Sequence, residues 1–359
     1  MPKAFMTHRP TAARASFFPW RVVAVALLVL TVWGCADDGR EPLVLYSPHG
    51  RDLLGLFETT FEELNPDIDV RWLDMGSQEV YDRVRSEAVN PQADVWFGGP
   101  ATILARGAQD GLLEAYRPPW VDAVAESGRH PEGMYHSLYR TPPLLVYNED
   151  AVSAEEAPSD WQDLLDERWK DKVLIRDPLA SGTMRTIFGM VLARSVSETG
   201  DAESGFDWLL RLDAQTKEYA HNPALLHLKL ERQEGLVTAW ELTDILFQRK
   251  RGAPLGYRFP SSGSPVIEDS VGLVAGAPHR DAAIRFIDWV GSVEAQTLAA
   301  EQAFRLPART DIPEETLPEW ARGALAELVT AELDWSLIEK NGADWMQRWD
   351  REVRGRGGE

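Results

Sequence analysis

The sequence predicts an α/β protein made of two strand–helix regions, on three observations. Apolar runs of strand length alternate at short spacing with segments of helical periodicity. The alternation changes hands near LLVYN at 144–148, and an apolar strand resumes at 267–277 after a turn-rich return. Alternation of this kind argues for a mostly parallel sheet covered on both faces.

LVLYS at 43–47 is the first strand, and RDLLGLFETTFEEL at 51–64 places its apolar residues at helical spacing. IDVRWLDM at 68–75 is a second strand, followed by a helix over 78–88. ADVWFGG at 93–99 is apolar and ended by glycines, and a helix follows over 101–110. Beyond LLVYN, VLIRD at 173–177 opens a new unit whose helix runs over 182–196. Helices at 202–212 and 223–233 and a strand at 235–240 (GLVTAW) complete the second region. VGLVAGA at 271–277 is far too short to span a bilayer and reads as a buried strand. A helix at 282–292 follows. The tail from 315 is helical, and its Trp320, Trp335, Trp345 and Trp349 have spacings that suit packing faces rather than a ligand cage.

The N-terminus sets the compartment. Lys3, Arg9, Arg14 and Arg21 form a basic, acid-free leader, and the apolar run after Arg21 ends at Gly34 and Cys35, the only cysteine. This has the shape of an export signal. It resembles a bacterial lipoprotein signal, which implies cleavage before Cys35 and acyl chains on that residue; the alternative is an uncleaved membrane anchor. Residues 1–34 are then a signal peptide and 35–41 a polar tether. Removing the leader takes the formal charge from −20 to −24. So acidic a surface repels nucleic acid and anionic headgroups, so attachment must come from acyl chains. A single cysteine excludes a disulfide framework.

Open sheets bind ligands beyond the carboxyl ends of their strands, where helix starts leave free N–H groups. Five junctions have suitable residues: Ser47, His49 and Gly50 with Arg51; Gly76 and Ser77; Gly98, Gly99 and Thr102; Ser181, Gly182, Thr183 and Arg185; and Trp240, Glu241 and Asp244. The fourth is the strongest, because Pro178 breaks the strand, Ser181 can cap the helix and Gly182 admits a ligand to the backbone. Tyr257 and the serines at 261–264 lie where the chain returns, as cleft lining or as hinge. Serine, threonine, histidine and arginine at helix starts of an acidic chain point to an anionic ligand. A few charge-assisted hydrogen bonds of about 1.5–3 kcal/mol each suffice for micromolar binding.

Catalysis is poorly supported. No G-x-S-x-G, H-E-x-x-H, phosphate-loop lysine or post-strand G-x-G-x-x-G occurs. His49, Glu241 and Asp244 are an alternative metal set, although the histidines lack ligand spacing.

LVLYSPHG, ADVWFGGP, TPPLLVYN and WQDLLDERWKDKVLIRDPLASGTMR resemble the extracellular solute-binding proteins of ABC importers, and among them the ferric-iron, hexose-phosphate, thiamine and aminoethylphosphonate group. The resemblance spans about 42–310. It implies a two-lobed type II periplasmic-binding-protein fold, each lobe a mixed sheet flanked by helices, with ligand in the interlobe cleft. Lobe 1 is expected at 42–145 and 265–325, lobe 2 at 146–264, and a helical tail at 326–359 packs on the lobes. A permease and an ATPase are the implied partners of a monomeric, cofactor-free receptor, lipid-anchored at the periplasmic or extracellular face of the cell envelope. Ferric-binding members have paired tyrosines where this chain reads Trp240-Glu241-Leu242-Thr243-Asp244. That departure favours a phosphate- or phosphonate-bearing organic solute over Fe(III) held by His49, Glu241, Asp244 and a synergistic anion. A sensory or structural lipoprotein is the reading from another class.

Overall fold

A computed structural model describes residues 39–358, so the leader and Cys35 lie outside the described residues. One sheet contains β1 (Glu41–Ser47), β2 (Ile68–Asp74), β3 (Val95–Pro100), β4 (Leu113–Glu114) and β5 (His136–Thr141). A second contains β6 (Pro143–Asn148), β7 (Val173–Arg176), β8 (Thr216–Ala220), β9 (Val237–Glu241) and β10 (Leu255–Arg258). The chain then returns to the first with β11 (Ile267–Val274) and β12 (Leu306–Pro307). The helices of the first lobe are α1 (Arg51–Leu64), α2 (Ser77–Ser86) and α3 (Ala101–Gln109). The second has α4 (Gly182–Thr199), α5 (Glu203–Gln215), α6 (Pro223–Glu231) and α7 (Leu242–Lys250). After the return come α8 (Arg280–Val290), α9 (Val293–Ala303), α10 (Glu319–Glu327) and α11 (Trp335–Glu352).

Side chains alternate across the first sheet, and each set finds its own cover. Leu43, Leu45, Val95 and Phe97 face one side, where α1 contributes Leu53, Leu54, Phe57 and Phe61. Tyr46 and Trp96 face the other, beneath Val80, Tyr81 and Val84 of α2 and Ile103 and Leu104 of α3. Burial on both faces is why these strands read as continuous apolar runs.

Both sheets are mixed. β1 is parallel to β2 and β3, but β11 enters antiparallel between β3 and β5, because it returns from the far lobe. In the second sheet β7 is parallel to β8 and β9, whereas β6 is antiparallel to β9 and β10. Only Pro142 separates β5 of one sheet from β6 of the other, and residues 259–266 make the return. Among the described residues no helix is long and apolar enough to cross a membrane.

Sequence periodicity misses β5, β8, β10 and α9. β8 follows α5 without a turn signal, β10 has four residues, and α9 (VEAQTLAAEQA) buries alanines, which leave a weak apolar stripe. The tail is two helices rather than one. α11 packs on the second lobe, with Trp349 wholly buried, its ring 5.6 Å from Phe188 and 5.1 Å from Tyr219. Trp345 joins the same core, while Trp320 donates its indole N–H to Ala300 O at 3.0 Å. The tryptophans are packing residues.

Trp349→Ala is expected to cost about 3–5 kcal/mol, the usual loss for a buried indole. Urea unfolding of the variant measures it, and an unchanged midpoint would show that α11 adds nothing to the core.

Candidate ligand-binding cleft

Between the sheets lies a cavity of about 380 Å³ with walls from both lobes. Pro48, His49, the β2 end from Asp74 to Ser77, Pro100, Asp269 and Arg305 form one side. Arg176, the loop from Ala180 to Thr183, His221, Asn222, Trp240, Glu241 and Asp244 form the other. Five helices start at this cavity. Their N-cap residues Gly76 (α2), Pro100 (α3), Ser181 (α4), Asn222 (α6) and Glu241 (α7) all line it. Ser181 Oγ accepts the Met184 N–H at 3.2 Å and Asn222 Oδ1 the Leu225 N–H at 2.8 Å. Converging helix N-termini favour negative charge.

Two glycines let the lobes meet. A Cβ on Gly76 would lie 2.6 Å from Ala180 O, and one on Gly182 would lie 2.7 Å from Pro100 Cδ and 2.9 Å from Ser77 Oγ. Gly98, with φ of 100°, serves the floor, since a Cβ there would sit 2.3 Å from the His49 ring.

The charges are arranged unevenly. Arg305 and Arg176 are almost completely buried, one from each lobe. Arg305 Nη2 donates to His49 O at 3.0 Å, and Arg176 Nη1 to Ala220 O at 3.2 Å. No ion pair to either occurs among the described residues, and burial lowers the Arg176 pKa from its ordinary value. His49 Nε2, Tyr139 Oη and Arg305 Nε are buried without a hydrogen-bond partner. His49 is held neutral, its pKa well below the ordinary range through burial and then through Arg305.

The carboxylates are occupied. Asp269 accepts Gly99 N–H at 2.9 Å and the Thr141 hydroxyl, tying β3 and β5 to β11. Asp244 accepts the Trp240 indole N–H at 2.8 Å, and Glu79 the Gly76 N–H at 2.8 Å. Asp74 takes the Gly50 N–H, and burial still raises its pKa. Glu241 accepts the Thr183 hydroxyl at 2.9 Å; burial foremost, then Asp244, pushes its pKa up to about 8.

Of the residues singled out in the sequence, His49, Ser77, Ser181, Gly182, Thr183, Trp240, Glu241 and Asp244 line one cavity. Ser47 lies beneath it and accepts the His49 N–H at 3.1 Å, while Gly50 and Gly99 act through Asp74 and Asp269. Arg185 is elsewhere. Its Nη2 donates to Leu179 O at 2.7 Å, and it faces a separate crevice with Arg106 and Glu339. Tyr257 packs against Phe259, also away from the cavity. Sequence reasoning missed Arg305, which follows an alanine-rich helix without any motif. Arg176 could have been suspected as a charge inside the apolar run VLIR. Among the described residues no group of three or more His, Cys, Asp or Glu is placed to hold a metal ion.

The model of the family described as bacterial extracellular solute-binding protein matches residues 90–325. The chain belongs to that family. This extracellular solute-binding protein is 27% identical over 349 residues, 92% of each chain, to a Sinorhizobium fredii protein named as an ABC transporter periplasmic-binding protein. It is 26% identical to a Salmonella typhimurium periplasmic protein named for 2-aminoethylphosphonate binding, over 79% of this chain and 83% of that one. It is also 26% identical to iron uptake protein A1 of Synechocystis, over 68% and 70%. The solved structure of AfuA from Actinobacillus pleuropneumoniae, with fructose-6-phosphate bound, superposes with a TM-score of 0.76 at 25% identity, over 89% of this chain and all of that one. The solute-binding protein is thus a non-catalytic, periplasmic or extracellular component of an ABC importer, with the type II bilobed fold and permease and ATPase partners.

The Glu241 shift has a sign that can be measured. Between its ordinary value of 4.5 and about 8 the folded protein keeps a proton that the unfolded chain releases. Its contribution to stability therefore falls as pH rises through that window. Glu241→Gln, which keeps an acceptor for Thr183, is expected to match the wild type near pH 4.5 and to exceed it at pH 8. The gain in Tm should be roughly 2–4 °C per kcal/mol relieved. Parallel melting curves across pH would contradict the shift.

Proposed function

We propose that the cleft captures a small anionic organic solute, phosphate- or phosphonate-bearing, for import. The observation that supports this most directly is the pair of buried guanidiniums, Arg176 and Arg305, offered from opposite lobes with only carbonyl partners. A tetrahedral anion accepts bidentate donation from each, together with N–H groups of α2 and α4 and the hydroxyls of Ser77, Ser181 and Thr183. Neutral Glu241 and His49 do not repel it. Binding across both walls draws the lobes together, the usual hinge closure of a two-lobed receptor.

A second reading is Fe(III) with a synergistic anion, the anion on the arginines and the metal on His49, Glu241 and Asp244. It is favoured by the carboxylates of the wall and by the relative named for iron uptake.

Native mass spectrometry and thermal shifts with inorganic phosphate, fructose-6-phosphate, 2-aminoethylphosphonate and ferric citrate separate the two. The organic anions are expected to bind. Their affinity should weaken above pH 8, as Glu241 ionises among Asp244, Asp269 and Arg305. Small-angle scattering should show a smaller radius of gyration in the bound form. Arg305→Met should cost about 2–3 kcal/mol of binding, roughly a 30–150-fold loss. Stoichiometric iron, tightening with rising pH as ligands lose protons and losing its charge-transfer band in Glu241→Gln, would establish the second reading instead.

We also propose lipid anchoring at Cys35, which rests on the apolar run and the polar tether around it. Cys35→Ala is expected to lose acyl labelling and leave the membrane fraction. Retention of that variant would indicate an uncleaved anchor.

A further inference from the structure

The C-terminal segment reaches the ligand loop from outside the cavity. Beyond α11 the chain is pinned to the second lobe: Asp213 accepts N–H groups from Gly355 at 2.9 Å and Gly357 at 2.8 Å, and the Tyr219 hydroxyl at 2.5 Å. Between these anchors and α11 sits Arg354. Its guanidinium lies 4.7 Å from the Trp349 ring centroid and 5.4 Å from that of Tyr219, which fixes its direction. It pairs with Asp177 at 2.6 Å and with Asp350 at 3.2 Å.

Asp177 organises the loop that lines the cleft. Its Oδ1 accepts the Leu179 N–H at 2.8 Å, and its carbonyl accepts the N–H groups of Ala180 at 3.3 Å and Ser181 at 3.2 Å. Its own N–H donates to Ala220 O at 2.9 Å, the carbonyl that also holds Arg176. Any tilt of Asp177 therefore shifts Arg176 on one side and the start of α4 on the other. Ala180 O moves with them, and it is the atom that meets Gly76 across the lobes.

We propose that Arg354 is a positioning residue for ligand capture, holding Asp177 and through it the loop from Arg176 to Thr183 in the shape the ligand needs. Arg354 lies beyond the 90–325 segment matched by the family. The side chains of Asp177 and Arg354 are 14% and 31% exposed, so the pair, close in distance but without an aligned hydrogen bond from Nη2, is partly shielded from solvent.

The test uses the full chain. Arg354→Met keeps the stem stacked on Trp349 and Tyr219 and removes the charge; Asp177→Asn keeps the acceptor for Leu179 and removes the pair. In the ligand-free protein, amide exchange at Leu179, Ala180 and Ser181 is expected to rise about tenfold or more in either variant. Amides of β1 to β3 should hold their wild-type rates. The double variant should be no worse than either single, and Arg354→Lys should restore part of the protection. The affinity arm rests on the anion reading above: inorganic phosphate, used as the probe, should bind about tenfold more weakly to both variants. Wild-type exchange at the loop in folded Arg354→Met or Asp177→Asn would overturn the proposal. Failure of wild-type protein to take up phosphate would count against the anion reading alone, because the exchange result decides on Arg354 without it.

Discussion

Two guanidiniums buried on opposite sides of one cleft, each hydrogen-bonded only to main-chain carbonyls, set the condition on which the rest of the site depends. Removing an ion from water costs several kcal/mol even after relaxation, and a nearby opposite charge is the usual compensation. Here the chain has 57 acidic side chains to draw on and places none in an ion pair with Arg176 or Arg305 among the described residues. The carbonyls of His49 and Ala220 orient the two groups without neutralising them. Five helix N-termini add partial positive charge at the same place. These are the positive elements of a wall that also carries five carboxyl groups, in a protein of net charge −20.

Each of the five carboxyl groups that border the cavity has a partner of its own. Asp269 is engaged as a crosslink between strands, Asp244 by an indole N–H, Glu79 by the cap of α2, and Asp74 by the turn after β1. Glu241, its pKa pushed up to about 8, holds its proton near neutrality. A protonated carboxyl is a donor as well as an acceptor. It can meet an anionic or hydroxylated ligand where a carboxylate would repel one. Burial does here what an extra cationic residue would do elsewhere, and it does so without raising the local charge.

The parts of this arrangement that follow from local rules were legible in the sequence. Ser181, Gly182 and Thr183 sit where a strand stops at a proline and a helix begins, and the cap, the close approach and the hydroxyl all follow from residue type at that junction. His49, Ser77 and Glu241 are legible for the same reason. Arg305 is not, because its place depends on β12 pairing with β5, Leu306 opposite Arg140, across nearly half the chain. Arg185 shows the converse. Its first-turn position suggests a ligand contact, yet it lies two residues past Thr183, about 200° around the helix, on the side facing Arg106 and Glu339, where the Leu179 carbonyl holds it. The mixed character of the first sheet followed from the family resemblance and not from periodicity, which argued for a mostly parallel sheet, since strand direction is set by the route of the returning chain.

The two crossings between lobes explain why the cleft is the place that yields. Just before Pro142 the Thr141 hydroxyl is held by Asp269, and just after it Pro143 O accepts the Ser264 hydroxyl at 2.6 Å. Asp269 belongs to the returning strand and Ser264 to the return itself, so each crossing is fastened to the other. Rotation about that seam is the closure proposed above. On the ligand side the contacts are of another kind: a glycine against the Ala180 carbonyl, and a second glycine against Pro100 and Ser77, with no cation–carboxylate pair between these groups. Such contacts permit closure and supply little energy for it. In the proposed binding mode a ligand bonded at once to Arg176 and Arg305 would supply what they lack, so the same bonds that confer affinity would also select the closed form.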